Sequence, residues 1–207
     1  MASRNEQEAF WASEFGDEYI LRNQAPALEA SNTVAFAHML GRAHGIGSIL
    51  ELGANVGMNL RAIRHLMPSV KLSAVEINKK ACEQLGKLPE VTAHHGSIAE
   101  FTSAHPFDLV FTKGVLIHIQ PEQLPSIYRN MIALSKKWVL ICEYYNPVPV
   151  EVHYRGHANK LFKRDFCGEL LAMDNSLKLV DYGFFYHGDS LCPQDDMTWF
   201  LMEKKNA

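Results

Sequence analysis

The chain is predicted to be an α/β protein built on an open, mostly parallel sheet. Three observations predict it. Strand-like and helix-like segments alternate from residue 48 to residue 143, the first strand runs into a glycine turn, and two strand-like runs follow each other directly near the end. Alternation with helices makes successive strands parallel, because each helix carries the chain back to the end where the previous strand began. Two strands joined by a short loop pair antiparallel instead.

Helical patterns near residues 5–23 and 26–43 come first; Phe10, Trp11, Phe15 and Tyr19 recur at roughly helical spacing, which suits a helix packed over the sheet. The apolar run Ser48-Ile49-Leu50 opens a strand over 48–52, followed by a helix over 57–67 that Pro68 stops. A strand over 71–76, a helix over 78–86, short strands over 91–94 and 107–112, a helix over 121–134 and a strand over 137–143 complete the alternation. "LKLVDYGFFYH" and "MTWFLMEK", joined by a polar loop around Pro193, are expected to pair antiparallel at the sheet edge.

With 207 residues, 47% of them hydrophobic, the chain can bury one sizeable core. A net charge of -3 with scattered basic residues gives no field for a polyanion, so nucleic acid is not an expected partner. Cys82, Cys142, Cys167 and Cys192 form no CxxC pair, so neither a metal site nor a short redox motif is expected. No run approaches the roughly 18 apolar residues of a membrane span, and "MASRNEQEAFW" lacks the regions of a signal peptide. A cytoplasmic protein, monomeric or homodimeric, is the expectation.

The stretch "ILELGANVGMN" carries the chemistry. Gly53 and Gly57 stand four positions apart, which fits neither the GxGxxG dinucleotide fingerprint nor the GxxxxGK[ST] phosphate loop. What does fit is an acid at Glu51, a glycine turn, and a second acid, Glu76, at the end of the next strand, where a ribose diol is held by its hydroxyls. A nucleoside ligand is expected, with no sign of a pyrophosphate.

The runs "ELGANVGMN", "AVEIN", "HHGSI" and "FDLVFTKGVLIHI" resemble, in order, the motifs of class I S-adenosylmethionine-dependent methyltransferases over residues 46–204. More narrowly, "FWASEFGDEYILRN", "EYYNPVPVEVHYRGHANKLFKRDF" and "PQDDMTWFL" resemble a bacterial family known as the pseudaminic acid biosynthesis-associated methylase. The resemblance implies a Rossmann-like methyltransferase fold: a mostly parallel seven-stranded sheet with helices on both faces and an antiparallel last strand. It also implies a helical segment over residues 1–45 covering the cofactor site of a methyltransferase domain over 46–207.

By the same resemblance, S-adenosylmethionine is the cofactor and S-adenosylhomocysteine the product. Its binding set would be Tyr19, Arg22, Glu51, Gly53, Asn55, Gly57, Asn59, Glu76, Ile77, Ser97, Ile98, Thr112 and Lys113. Glu51 would position the ammonium group and Glu76 the ribose; Ser97 and Ile98 would flank the adenine, and Tyr19 and Arg22 would reach the carboxylate. Asn55 stands where many such enzymes have a glycine, and Ser97 where an aspartate is common.

Ligands of an open α/β sheet sit beyond the carboxyl ends of its strands, which selects Thr112–His118, Glu143–Asn146 and the loop His187–Asp196. His118 is the candidate general base, since imidazole titrates near working pH; a cap on the substrate-side turn is its other role. Glu143 and Tyr144 complete the candidate catalytic set; for Glu143, as a base or a holder of an amine, satisfaction by neighbouring backbone stands equally beside this. Tyr145, Asn146, Tyr154, Arg155, His157, Asp195 and Asp196 are candidate substrate-binding residues, offering aromatic walls, an anion fork and carboxylates for an amine. For Arg155 a solvated surface role stands beside this, and for Asp195 and Asp196 turn formation.

Three functions are compatible with these residues: methyl transfer to a small polar metabolite such as an amino sugar or its nucleotide-activated form, aminopropyl or cyclising chemistry on the same cofactor, and a cofactor-binding partner without catalysis.

Overall fold

The computed structural model describes residues 5–20, 26–190 and 192–205. Nine strands and seven α-helices are found among them: α1 (Glu6–Trp11), α2 (Glu14–Ile20), α3 (Pro26–Met39), β1 (Ser48–Leu52), α4 (Met58–Leu66), β2 (Lys71–Glu76), α5 (Lys79–Leu85), β3 (Val91–His95), β4 (Phe107–Lys113), α6 (Leu124–Leu134), β5 (Ser135–Glu143), β6 (Val150–Tyr154), β7 (His157–Lys163), α7 (Phe166–Met173), β8 (Leu177–Phe185) and β9 (Met197–Lys204).

Seven strands form one sheet in the order β3-β2-β1-β4-β5-β9-β8. Pairing from β3 to β5 is parallel, and β9 runs antiparallel to both β5 and β8. This is the expected sheet with its reversed last strand. The strand order reverses direction beside β1 and β4, so the loops after their carboxyl ends face a common crevice.

Strand alternation feeds two cores. Ile49, Leu109, Phe111, Trp138 and Leu140 face Phe36 and Met39 of α3 and Leu60 and Ile63 of α4. Leu50, Leu52, Val110, Val139 and Ile141 face Ile127, Tyr128 and Met131 of α6 and Phe166 and Leu170 of α7. Both faces of the central strands are thus buried, which is why they read as continuous apolar runs.

Two expectations are corrected. The helix over 5–23 breaks at Ala12 and Ser13 into α1 and α2, with Asn5 and Glu8 closing a capping box at the start of α1. The segment after β5, which had no predicted secondary structure, folds as an antiparallel β6–β7 hairpin outside the main sheet, followed by α7. Its Pro147 and Pro149 and its polar residues hid a strand pair whose partner surface is α1 and α2. No described helix is long and apolar enough to cross a membrane, and no group of metal-ligating side chains gathers among the described residues.

Candidate active site

Two adjoining cavities open where β1, β2 and β4 end. The smaller, about 130 Å³ and mostly apolar, is lined by Trp11, Glu76, Ile77, Ser97, Ile98 and Ile127 among others. The larger, about 560 Å³ and more polar, is lined by Asn59, Lys113, Tyr144, Tyr154, Arg155 and Asp195 among others. Tyr19, Gly53, Asn55, Gly114, Val115 and His118 line both, so they mark the junction.

Gly53 forms the junction floor. Its φ is +81°, and an added Cβ would lie 2.7 Å from a Val115 methyl. A side chain is therefore excluded by both backbone conformation and space. Gly57, also at φ +81°, is held for packing instead: its Cβ would strike Leu88 and Leu85. It lines neither cavity.

Glu76 closes the end of β2. Its carboxylate accepts from the backbone N–H of Asn55 and of Asn78, both at 2.7 Å, which fixes its orientation. Burial raises its pKa, opposed by those backbone donors. Glu51 lies just beneath the larger cavity, accepting from Asn59 Nδ2 at 2.6 Å. Its second oxygen has no hydrogen-bond partner among the described residues. Burial without a paired cation pushes its pKa up to about 8, opposed by Asn59 and by Lys113.

A polar chain runs outward from Glu51. Asn32 Nδ2 donates to Asn59 Oδ1, Gln194 Nε2 donates to Asn32 and to Ser31, and the Ser31 hydroxyl donates to the Pro193 carbonyl. Asn32 and Gln194 both line the larger cavity. The acid beneath the larger cavity is thereby tied to the loop before β9, 162 residues along the chain from Asn32. Sequence reasoning named neither residue; the signal was Ser31-Asn32, two poor helix formers adjacent inside a helix.

His118 stands at the junction on a short 3₁₀ turn, Leu116–His118. Its Nδ1 lies 2.7 Å from the Lys160 carbonyl, so Nδ1 donates and Nε2 is left as an acceptor. Its ring packs between Trp11, at 4.6 Å between centroids, and Tyr154, at 5.0 Å. Burial lowers its pKa to about 4, so it is neutral at neutral pH.

Glu143 holds that turn from below. Its two oxygens accept from the backbone N–H groups of Val115, Leu116 and Ile117 at 3.0–3.4 Å. Burial raises its pKa to about 7 against these donors. It lines neither cavity, and its observed partners make it the support of the turn that carries His118. Thr112, fully buried, belongs to the same layer.

On the outer wall, Tyr144 hydrogen-bonds Asp195, and burial with the neighbouring Asp195 charge raises its pKa. Lys163 Nζ lies 5.0 Å from the Tyr144 ring centroid. Four further candidates lie off the cavities. Tyr145 is exposed against Phe200, Asn146 bonds the Val148 carbonyl, His157 packs on Phe10 and Phe15, and Asp196 pairs with His187. Side chains alternate along an extended segment, so Tyr144 faces in and Tyr145 out. Arg22 lies outside the described residues.

Helices α1 and α2 cover the smaller cavity. Glu8 accepts from the Ser97 hydroxyl, Gln7 donates to the Asn159 carbonyl, and Glu6 pairs with buried Lys160 at 2.7 Å. Phe10, Trp11 and Phe15 stack among themselves and against the β6–β7 hairpin. Gln7, Glu8 and Trp11 therefore wall the site, where sequence alone assigned this aromatic set to core covering.

Residues 49–137 match the methyltransferase-domain family. A tRNA1(Val) (adenine(37)-N6)-methyltransferase of Pseudoalteromonas translucida is 32% identical over 69 residues, and the chain spans about 30% of the length of that curated relative. Among solved structures, 1,6-didemethyltoxoflavin-N1-methyltransferase of Burkholderia thailandensis, with its substrate and S-adenosylhomocysteine bound, superposes with a TM-score of 0.71 at 17% identity over 100% of this chain and 92% of that one. Magnesium protoporphyrin IX methyltransferase of Synechocystis PCC 6803, with bound S-adenosylmethionine, gives 0.68 at 12% over 99% and 100%. Residues 49–137 thus resemble a methyltransferase domain, and the chain as a whole shares the Rossmann-like α/β fold of these two structures.

Proposed function

We propose that the protein is an S-adenosylmethionine-dependent methyltransferase acting on a small polar metabolite, with an amino sugar or its nucleotide-activated form in surface polysaccharide biosynthesis as the acceptor class. The observation that carries this reading is the junction of a mostly apolar cavity beside Glu76 with a larger polar one at Gly53, Val115, Tyr19 and His118.

The residues present suit the cofactor. Glu51 offers a buried oxygen without a partner among the described residues, which an ammonium group would complete. Glu76 presents a fixed carboxylate to a ribose, Ile98 and Ile77 present apolar walls to an adenine, and Lys113 offers a positive charge to a carboxylate. When bound, S-adenosylmethionine supplies an electrophilic methyl group on a sulfonium.

The chain's own task is then alignment and exclusion of water. Gly53 and Val115 shape the passage between the cavities. His118 Nε2 accepts a hydrogen bond from the nucleophile's N–H or O–H and takes up the proton it releases. With a pKa near 4, His118 gives that proton up to solvent water at product release and returns to its neutral form. Tyr144 and Asp195 hold a polar or cationic part of the acceptor. Helices α1 and α2 serve as the cover, and Glu143 keeps the His118 turn in register.

The reading is of a cytoplasmic monomer or homodimer with neither nucleic acid nor membrane as partner, in line with a net charge of -3. Its test is mass spectrometry of the protein incubated with S-adenosylmethionine and a small-molecule extract. S-adenosylhomocysteine appearing with a species heavier by one methylene supports it; methylthioadenosine appearing instead would replace it with aminopropyl chemistry.

A further inference from the structure

The tip of the β6–β7 hairpin is built against its own backbone preference. Tyr154 pairs with His157, so Arg155 and Gly156 form a two-residue loop, with φ of +51° and +86°. Positive φ at both central positions defines a type I′ turn, whose first position favours Asn, Asp or Gly. An arginine there takes up a left-handed conformation that L side chains disfavour.

The side chain has a defined place. Arg155 lines the larger cavity, and its guanidinium lies 5.5 Å from the Tyr154 ring centroid. Tyr154 in turn packs on His118. Among the described residues Arg155 has no carboxylate partner, while other basic residues of the hairpin region are paired: Lys160 with Glu6 and Arg164 with Glu169. The charged residues lining that cavity are Lys113, Arg155 and Asp195; Lys113 acts on buried Glu51 and Asp195 bonds Tyr144, which leaves Arg155 without a carboxylate of its own.

Backbone strain at a cavity rim, a guanidinium preset on an aromatic face, and an uncompensated positive charge coincide at one residue. We infer that Arg155 is a specificity-determining residue that binds an anionic group, carboxylate or phosphate, on the acceptor. The acceptor then spans the larger cavity with its nucleophile toward His118 and its anion at the hairpin tip. Planar N–H donors on a ring platform suit bidentate capture of either anion. This inference rests on the larger cavity being the acceptor site.

The test is a titration of inorganic phosphate into the S-adenosylhomocysteine-saturated protein, followed in every sample by the NMR resonance of the Gly156 backbone N–H and in the wild type also by that of the Arg155 Nε–H. Parallel titrations use Arg155→Asn, which suits the turn and removes the charge, and Arg155→Lys, which keeps the charge without the fork. A saturable shift in the wild type is expected. Phosphate binding should weaken about tenfold or more in Arg155→Asn and less in Arg155→Lys, with the melting temperature of Arg155→Asn within about 2 °C of wild type. A resonance that does not saturate in the wild type, or equal phosphate affinity in Arg155→Asn, overturns the inference. Calorimetry of S-adenosylhomocysteine on the same samples separates this from failure of the cofactor reading, which would appear as no binding of that nucleoside.

Discussion

His118 Nδ1 lies 2.7 Å from the carbonyl oxygen of Lys160, a hydrogen bond that ties the junction of the two cavities to strand β7. It fixes the imidazole as the tautomer with Nε2 as acceptor, and burial holds the ring neutral with a pKa near 4. His118→Gln is expected to lower turnover by about 10²- to 10⁴-fold while leaving S-adenosylhomocysteine affinity within a few-fold, as steady-state assay and calorimetry would show.

The same histidine sets a pH dependence of stability. Its folded pKa is depressed below the ordinary 6.5, so the unfolded state binds more protons between those values. Its contribution is complete above about pH 6.5 and is lost as the pH falls toward 4. Urea denaturation at pH 7 and pH 5 should therefore show a larger loss for wild type than for His118→Gln; equal losses would contradict the burial of a neutral ring.

Gly53→Ala meets two obstacles, a φ of +81° and a Val115 methyl 2.7 Å from the new Cβ. Cofactor binding is expected to fall below detection with stability lowered by about 1–3 kcal/mol. Adding Val115→Ala removes the clash but not the backbone strain, so the double variant should recover part of the stability in a thermal melt.

Glu143→Gln tests the support of the His118 turn. The carboxylate receives backbone N–H groups from Val115, Leu116 and Ile117, and an amide would turn an NH₂ toward one of them. A melting temperature lower by roughly 2–10 °C is expected, with turnover reduced alongside it. An unchanged melting temperature would show that the turn does not depend on this acid.

Asn32→Ala interrupts the chain from Glu51 through Asn59 to Gln194. Both cofactor affinity and acceptor KM should worsen, by about three- to tenfold each, because the residue joins the two halves of the site. A loss confined to one ligand would show that the chain does not couple them.

The central sheet was legible in the sequence because its middle strands β1, β4 and β5 are buried on both faces and each is followed by glycine or ends on an acid. The positions of Glu76 and Gly53 were legible for a related reason: each stands at a strand end, which a local motif records. The β6–β7 hairpin was not, since prolines and polar residues dominate it and its stabilising contacts come from Phe10, Phe15 and Glu6 at the other end of the chain. Glu143 was placed at the correct strand end with two readings open, substrate or neighbouring backbone, because no sequence pattern tells which a terminal carboxylate meets; its partners are the backbone N–H groups of Val115, Leu116 and Ile117. The Asn32–Gln194 bond spans 162 positions and left no local trace beyond two weak helix formers.

The most direct test is calorimetric titration of S-adenosylhomocysteine into wild type, Glu76→Gln and Glu76→Ala. One equivalent is expected to bind to wild type, with affinity reduced at least tenfold in both variants, because the Glu76 carboxylate is fixed to receive ribose hydroxyls. Unchanged affinity in both variants, or no binding to wild type alongside binding of a nicotinamide dinucleotide, would contradict that expectation.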